Sequence, residues 1–330
     1  MINYRYYRPI IEYAAFAISA ISFIALCIVI IVFYSKRLNK NLTNQFVMQL
    51  IISEMLNNLN HITPAITNAL GDRNKKFHER MRVCYTQMFL ITFCNLYTLY
   101  SSFLIAFRIN DLLAHSSRVF KKPKNIKIAK LSSLYFCLIL SYLLWTVHLL
   151  NFQNYSFGAN RYFRVLTCWM GSYVDFVLLF IFGIFIIVIF VYSCKSVIFV
   201  SKYRRRLEED TDDDDENSST DLTNTVQFKK IKLVQKRLII YPIVTAILYI
   251  LIIIFRLLSI DAKKDEGRQM ACLILYAITT VFRGMIFAGI YFGTQKVFRE
   301  GLYDLLLCKK KKYKDLSTDS LTKLDDLLEE

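Results

Sequence analysis

Seven apolar runs, each about 20 to 30 residues long and nearly free of charge, recur along this chain. A run of that length crosses a hydrocarbon core of roughly 30 Å as an α-helix, which satisfies its own backbone hydrogen bonds where no water can. The helices predicted this way cover about 10–34, 46–70, 84–113, 129–150, 169–200, 237–260 and 269–295. Composition points the same way. Of 330 residues, 55% are hydrophobic and only nine are glycine and four proline, a balance too apolar for one or two ordinary soluble domains. The expected fold class is an all-α membrane protein, a seven-transmembrane helix bundle over 10–295 between a short stub, 1–9, and a tail, 296–330.

The net charge of +16 does not read as a nucleic-acid surface, because the basic residues flank the apolar runs instead of forming a separate domain. They act as topology signals. With the N-terminus outside, the segments on the cytosolic side hold about 24 Lys and Arg against about 12 on the other. This predicts an outside N-terminus and a cytosolic C-terminus, in the plasma membrane. The stub leaves no room for an extracellular capture domain, so a ligand is expected among the helices and short loops.

Cysteine positions fit that topology. Cys27, Cys94, Cys137, Cys194 and Cys272 fall inside apolar runs, where a thiol behaves as a small hydrophobe. Cys84 opens the third predicted helix and Cys168 precedes the fifth, both at the outer, oxidising face. A disulfide between them would pin the intervening outer loop to helix three; two unpaired thiols are the alternative. The same loop carries the glycosylation sequon at Asn154. Cys308 lies in "KVFREGLYDLLLCKKKK", which reads as a short interfacial helix against anionic lipid with a palmitoylation candidate at its end.

Helix two contains "LIISEMLNNLNHITP". Glu54, Asn57, Asn58 and His61 are spaced i, i+3, i+4 and i+7, so an α-helix stacks them on one face. A carboxylate at membrane depth costs roughly 2.5 kcal/mol or more on insertion scales, and it should point inward to a partner. Counting from the cytosolic ends of helices two and seven places Glu54 and Arg283 within about 4 to 5 Å of the same depth. The expected arrangement is an ion pair of Glu54 with Arg283, braced by Asn57 and Asn58. Separate hydration of each charge in an internal cavity is the other possibility.

Arg108 follows Cys84 by 24 residues, a rise of about 36 Å, and is expected at the cytosolic surface, available to an intracellular partner. Lys236 and Arg237 lead into helix six, where Pro242 removes a backbone hydrogen bond and offers a point of bending. His148, Asp175, Arg256 and Tyr276 lie in the outer halves of helices four to seven and are candidates for a pocket that takes a small polar or anionic ligand. Snorkelling of each at a helix end is the bland alternative. Helix seven contains no lysine, so a retinal-type chromophore has no amine there for a Schiff base. No His-Glu-x-x-His, Cys-x-x-Cys, P-loop or Gly-x-Ser-x-Gly pattern occurs. No enzyme, metal site or cofactor is expected.

The segment about 207–225 between helices five and six is acidic, polar and free of aromatic residues, which predicts a disordered cytosolic loop. Ser218, Ser219 and Thr220 there, and Thr318, Ser320 and Thr322 in the tail, lie beside acidic residues and are candidate kinase sites.

Taken together, seven helices, a cysteine on helix three matched by one in the second outer loop, and a long cytosolic loop before a proline-bearing sixth helix resemble a G-protein-coupled receptor. "LIISEMLNNL", with Ser53 and Glu54, looks like a helix-two pattern of that family. Cys168-Trp169 and "KRLIIYPIV" resemble the cyclic-AMP-receptor-like branch and its fungal glucose-receptor-like relatives. The Asp-Arg-Tyr and Asn-Pro-x-x-Tyr signatures are absent, and Arg283-Gly284 departs from the branch. The resemblance implies a receptor for a small extracellular ligand that signals through a heterotrimeric G protein, with helix six moving relative to helix three. A transporter or ion or proton channel built on the Glu54 and Arg283 region is the rival, disfavoured by the lack of an internal repeat. A scaffold without G-protein coupling is a third possibility.

Overall fold

A computed structural model describes residues 4–35, 42–70, 77–113, 123–152, 172–213, 238–261 and 266–294, together with 299, 302 and 303. Among them the apolar runs form seven helices: α1 (Tyr4–Ser35), α2 (Leu42–Leu70), α3 (Phe77–Leu113), α4 (Pro123–Phe152), α5 (Ser172–Asp213), α6 (Ile240–Asp261) and α7 (Glu266–Thr294). Several outlast the apolar run that announces them, because hydropathy marks the crossing of a membrane and not the end of a helix. α3 begins at Phe77, so Cys84 lies two turns inside it instead of opening it. α4 begins on Pro123, whose missing N–H would be unpaired in a first turn anyway. α5 continues to Asp213, so the backbone of 207–213 is helical where disorder was expected. Arg204, Arg205 and Arg206 stand four residues before Glu208, Glu209 and Asp210, a spacing that favours helix over coil. The remainder of the acidic segment, the outer loop with Cys168 and Asn154, Lys236, Arg237, Cys308 and the candidate kinase sites lie outside the described residues.

Six of the described helices are long and apolar enough to cross a membrane; α2 is the exception. Its content is diluted by Gln45, Gln49, Glu54, Asn57, Asn58, Asn60 and His61. Yet Glu54, Asn57 and Asn58 are fully buried, so the polar face of α2 is turned into protein. Most outward-facing side chains are apolar. Leu138, Ile139 and Leu143 on α4, and Phe180, Ile187 and Phe190 on α5, are all strongly exposed, as lipid contact requires. The protein is a multi-pass membrane protein.

α3 is the central helix. It packs on α2, α4, α5 and α6, and 72% of its most apolar stretch is buried against 22% for the peripheral α4. α7 packs between α1 and α6 and also reaches α2. The end of the bundle where α1 stops and α2 starts, flanked by most of the Lys and Arg, is the basic end. There Phe33, Phe46, Ile105, Tyr241, Phe287 and Tyr291 form one apolar cluster. A second cluster lies among α3, α4, α5 and α6, around Leu96, Leu99, Phe182, Ile189 and Tyr249.

Gly284 sets the closest approach of α7. A Cβ there would run into the Asn58 amide and stand 3.0 Å from Leu26 Cδ1 and 3.3 Å from Ser22 Cβ. Gly289, one and a half turns on, has open space at the same position. Gly289→Ala should therefore leave the melting temperature unchanged or raise it, by up to about 1 kcal/mol of helix propensity. Gly284→Ala should lower it by forcing α7 away from α1 and α2; equal responses in thermal melts of the purified variants would contradict this packing.

Candidate functional site

The polar face of α2 meets polar positions on α3, α6 and α7 in the middle of the bundle. Arg283, on α7, donates from Nε to Glu54 Oε2 at 2.7 Å, with both side chains fully buried. Its Nη2 donates to Asn95 Oδ1 on α3 at 2.9 Å. Glu54 Oε1 accepts from the Thr98 hydroxyl at 2.8 Å, and Thr98 shares a 2.9 Å contact with Ser53, which donates in turn to the Cys94 carbonyl at 2.8 Å. From α6 the Tyr249 hydroxyl donates to both Asn95 Oδ1 and the Asn95 carbonyl, each at 3.0 Å. The Arg283 guanidinium carbon lies 4.8 Å from the centre of the Tyr249 ring, within cation–π range. Phe182 of α5 packs edge-on against the same tyrosine, with ring centres 5.3 Å apart.

The structure thus brings Glu54 and Arg283 together but braces them differently from the sequence expectation. Asn58 donates to the Glu54 backbone carbonyl at 2.9 Å and not to the carboxylate. It stands one turn further along the same helix, so the nearest acceptor is that carbonyl, while the Glu54 side chain reaches across to α3 and α7. Asn57 makes no hydrogen bond to the carboxylate; the supporting groups are Thr98 and Asn95. Both were legible as polar side chains within an apolar run, the same signal that singled out Glu54. Tyr249 carried no such signal, since an intramembrane tyrosine is common.

Further toward the basic end, Ser102 of α3 donates to Thr245 Oγ1 of α6 at 2.9 Å, and Thr245 donates to its own Tyr241 carbonyl. One and a half turns beyond, Arg108 is buried and paired with Asp111 at 3.4 Å. An arginine offered at the surface was expected; the i, i+3 spacing lets Asp111 draw the guanidinium back along α3. Pro242 is buried in the first turn of α6, where a missing N–H interrupts no interior bond, so it puts no bend in the middle of that helix. Arg256 and Tyr276 are buried at the opposite end. His148 and Asp175 belong to α4 and α5, but their side chains lie outside the described residues, as does that of Cys84. Cys27, Cys94, Cys137, Cys194 and Cys272 are free thiols within the helices.

No protein-family model and no curated protein matches the chain. Among solved structures, squid rhodopsin superposes with a TM-score of 0.58 at 14% sequence identity, covering 100% of this chain and 93% of that one. The fold is rhodopsin-like. At that identity the likeness is one of helix arrangement alone.

Within the hub, groups differ in what their removal leaves behind. Asn95→Leu strands a guanidinium nitrogen in the protein interior, and a hydrogen bond to a charged group is worth about 1.5–3 kcal/mol. Tyr249→Phe removes only a neutral hydroxyl, at about 1 kcal/mol. Thermal unfolding in detergent should therefore rank Asn95→Leu as the more damaging; the reverse order would show that Arg283 does not rely on Asn95.

Proposed function

We propose that the chain is a seven-helix receptor in the plasma membrane that senses a small extracellular ligand and signals through a heterotrimeric G protein. The observation that carries this reading is the rhodopsin-like bundle with a buried charged hub joining α2, α3, α6 and α7 midway between its two ends. The short motifs shared with the cyclic-AMP-receptor-like branch support the same class, without naming the ligand.

In this reading the basic end faces the cytosol, as the bias of Lys and Arg favours. Arg256 and Tyr276, with His148 and Asp175 on the neighbouring helices, belong to the ligand pocket at the other end. A ligand acts by binding one arrangement of the helices more tightly than another. α6 is the element placed to move: it meets α3 through side-chain hydrogen bonds at Asn95 and Ser102, which can be exchanged without unfolding either helix. Its displacement would uncover Arg108, held by Asp111 at rest, for the G protein to engage, with Lys236 and Arg237 of the sequence leading into α6 as further basic candidates. The Cys84 and Cys168 disulfide, glycan at Asn154, acyl group at Cys308 and kinase sites belong to this proposal as peripheral devices that fix the outer loop, anchor the tail to lipid and tune docking.

The test is reconstitution in nanodiscs with purified heterotrimeric G proteins and a panel of small polar metabolites, reading nucleotide exchange. Accelerated exchange with at least one G protein, together with lengthening of the distance between spin labels at Asn110 and Ile239, is expected. Ion or proton flux without exchange, or a label distance that stays fixed while exchange is stimulated, would contradict the proposal.

A further inference from the structure

Near the basic end, α5 carries a lysine inside its apolar stretch. Lys195 is exposed and stands four residues, about 6 Å, before Phe199, where the stretch able to cross a membrane ends. Val191 and Ile198, at i−4 and i+3, are exposed too, so Lys195 borders a face turned to lipid. Among the described residues no carboxylate pairs with it. Its ammonium lies instead 5.7 Å from the centre of the Tyr192 ring.

Tyr192 belongs to a strip of rings shared by three helices. It packs edge-on against Phe103 and Phe107 of α3, at 5.9 and 5.4 Å. Deeper in the bundle, Tyr100 of α3 meets Phe136 of α4 at 5.6 Å and Phe185 of α5 at 6.0 Å, and Phe136 meets Phe185 at 6.5 Å. None of the six rings is fully buried, and Phe136 is 46% exposed. α4 and α5 each pack along α3 but touch each other little, so the rings of α3 floor a seam that faces lipid between them. Toward the basic end, the positions of α4 on the edge of Phe136 are Ser132 and Ala129, which add little bulk to that wall.

The seam is apolar over the two turns from Phe185 to Tyr192, about 10 Å, and then cationic. Lys202, seven residues beyond Lys195, is exposed on the same edge of α5 and about 10 Å nearer the membrane surface. An occupant therefore needs an apolar body and negative charge at one end. A second copy of the chain fits poorly, since a twofold contact centred on this edge would bring Lys195 against its twin. A phospholipid with net negative charge has the right order of parts. We propose that the seam between α4 and α5 binds one anionic phospholipid from the leaflet at the basic end. An acyl chain lies along Tyr100, Phe103, Phe107 and Tyr192, the phosphodiester meets Lys195, and the headgroup charge meets Lys202. The lysine stem is long enough to swing the ammonium from the tyrosine ring out to the phosphate. The proposal rests on the membrane crossing and not on G-protein coupling.

Two measurements on the full chain in detergent decide it. Native mass spectra are recorded while phosphatidylserine or phosphatidylcholine with the same acyl chains is added. Phosphatidylserine should bind at the lower concentration. Lys195→Gln should weaken it about fivefold, the share of one lysine near an anionic leaflet, and Lys195→Arg should not. A phosphatidylserine with a photoreactive acyl chain should label the peptides that hold Phe103, Phe107, Phe136 and Tyr192. Equal binding of the two lipids, wild-type affinity in Lys195→Gln, or label concentrated elsewhere would each overturn the site. A dimer of the chain that shields those peptides from label would overturn it as well.

Discussion

A carboxylate and a guanidinium that are both fully buried at the centre of the bundle must be paired, and the other contacts of the hub follow from that requirement. Exchanging such a pair for well-packed apolar residues often costs nothing, so the ion pair is not there for net stability alone. Breaking one side is different, because an isolated charge at membrane depth has no water to turn to. The pair therefore fixes α2 against α7 in a single register, and Gly284 lets the two helices approach closely enough to form it. Thr98 and Asn95 then take up the second carboxylate oxygen and the second guanidinium nitrogen, tying α3 into the same layer.

From that layer, contacts between α3 and α6 step toward the basic end. Tyr249 meets Asn95, Ser102 meets Thr245, and the buried pair of Arg108 with Asp111 closes the series. Each step is a hydrogen bond between side chains of neighbouring helices or within one helix, surrounded by aromatic packing such as Tyr241 on Tyr291 at 5.4 Å. Polar contacts of this kind can be exchanged one for another at little cost, whereas interdigitated apolar side chains resist gradual deformation. A polar path set into a stiff apolar bundle suits an element with two discrete arrangements, the property that the proposed receptor function requires.

Much of this was legible in the sequence because bilayer thickness and backbone satisfaction leave few options. Seven apolar runs of crossing length define the helices, and a charge inside a run has to face protein. The pairing of Glu54 with Arg283 followed from counting depth along two helices. What escaped was lateral: depth counting says which residues share a level but not which helix stands beside which. So Asn57 and Asn58, neighbours of Glu54 along α2, looked like its supports, while Asn95 and Thr98, one helix away in space, did the bonding. Helix ends escaped for another reason, since α3 and α5 extend past the apolar limit on residues whose helical preference does not depend on the membrane. Arg108 shows the same gap on a smaller scale: its depth was readable, but the turn back to Asp111 depends on packing at the basic end.

The central claim is that Glu54 and Arg283 act as one paired unit, and exchange of their charges tests it most directly. Glu54→Arg and Arg283→Glu would each place two like charges in the interior and should abolish the folded, monodisperse fraction recovered in detergent. The double variant should restore a substantial part of that fraction, with Thr98 and Asn95 free to reorient their hydroxyl and amide. Recovery no better than that of the worse single variant would contradict the pairing on which the rest of the structure is argued to depend.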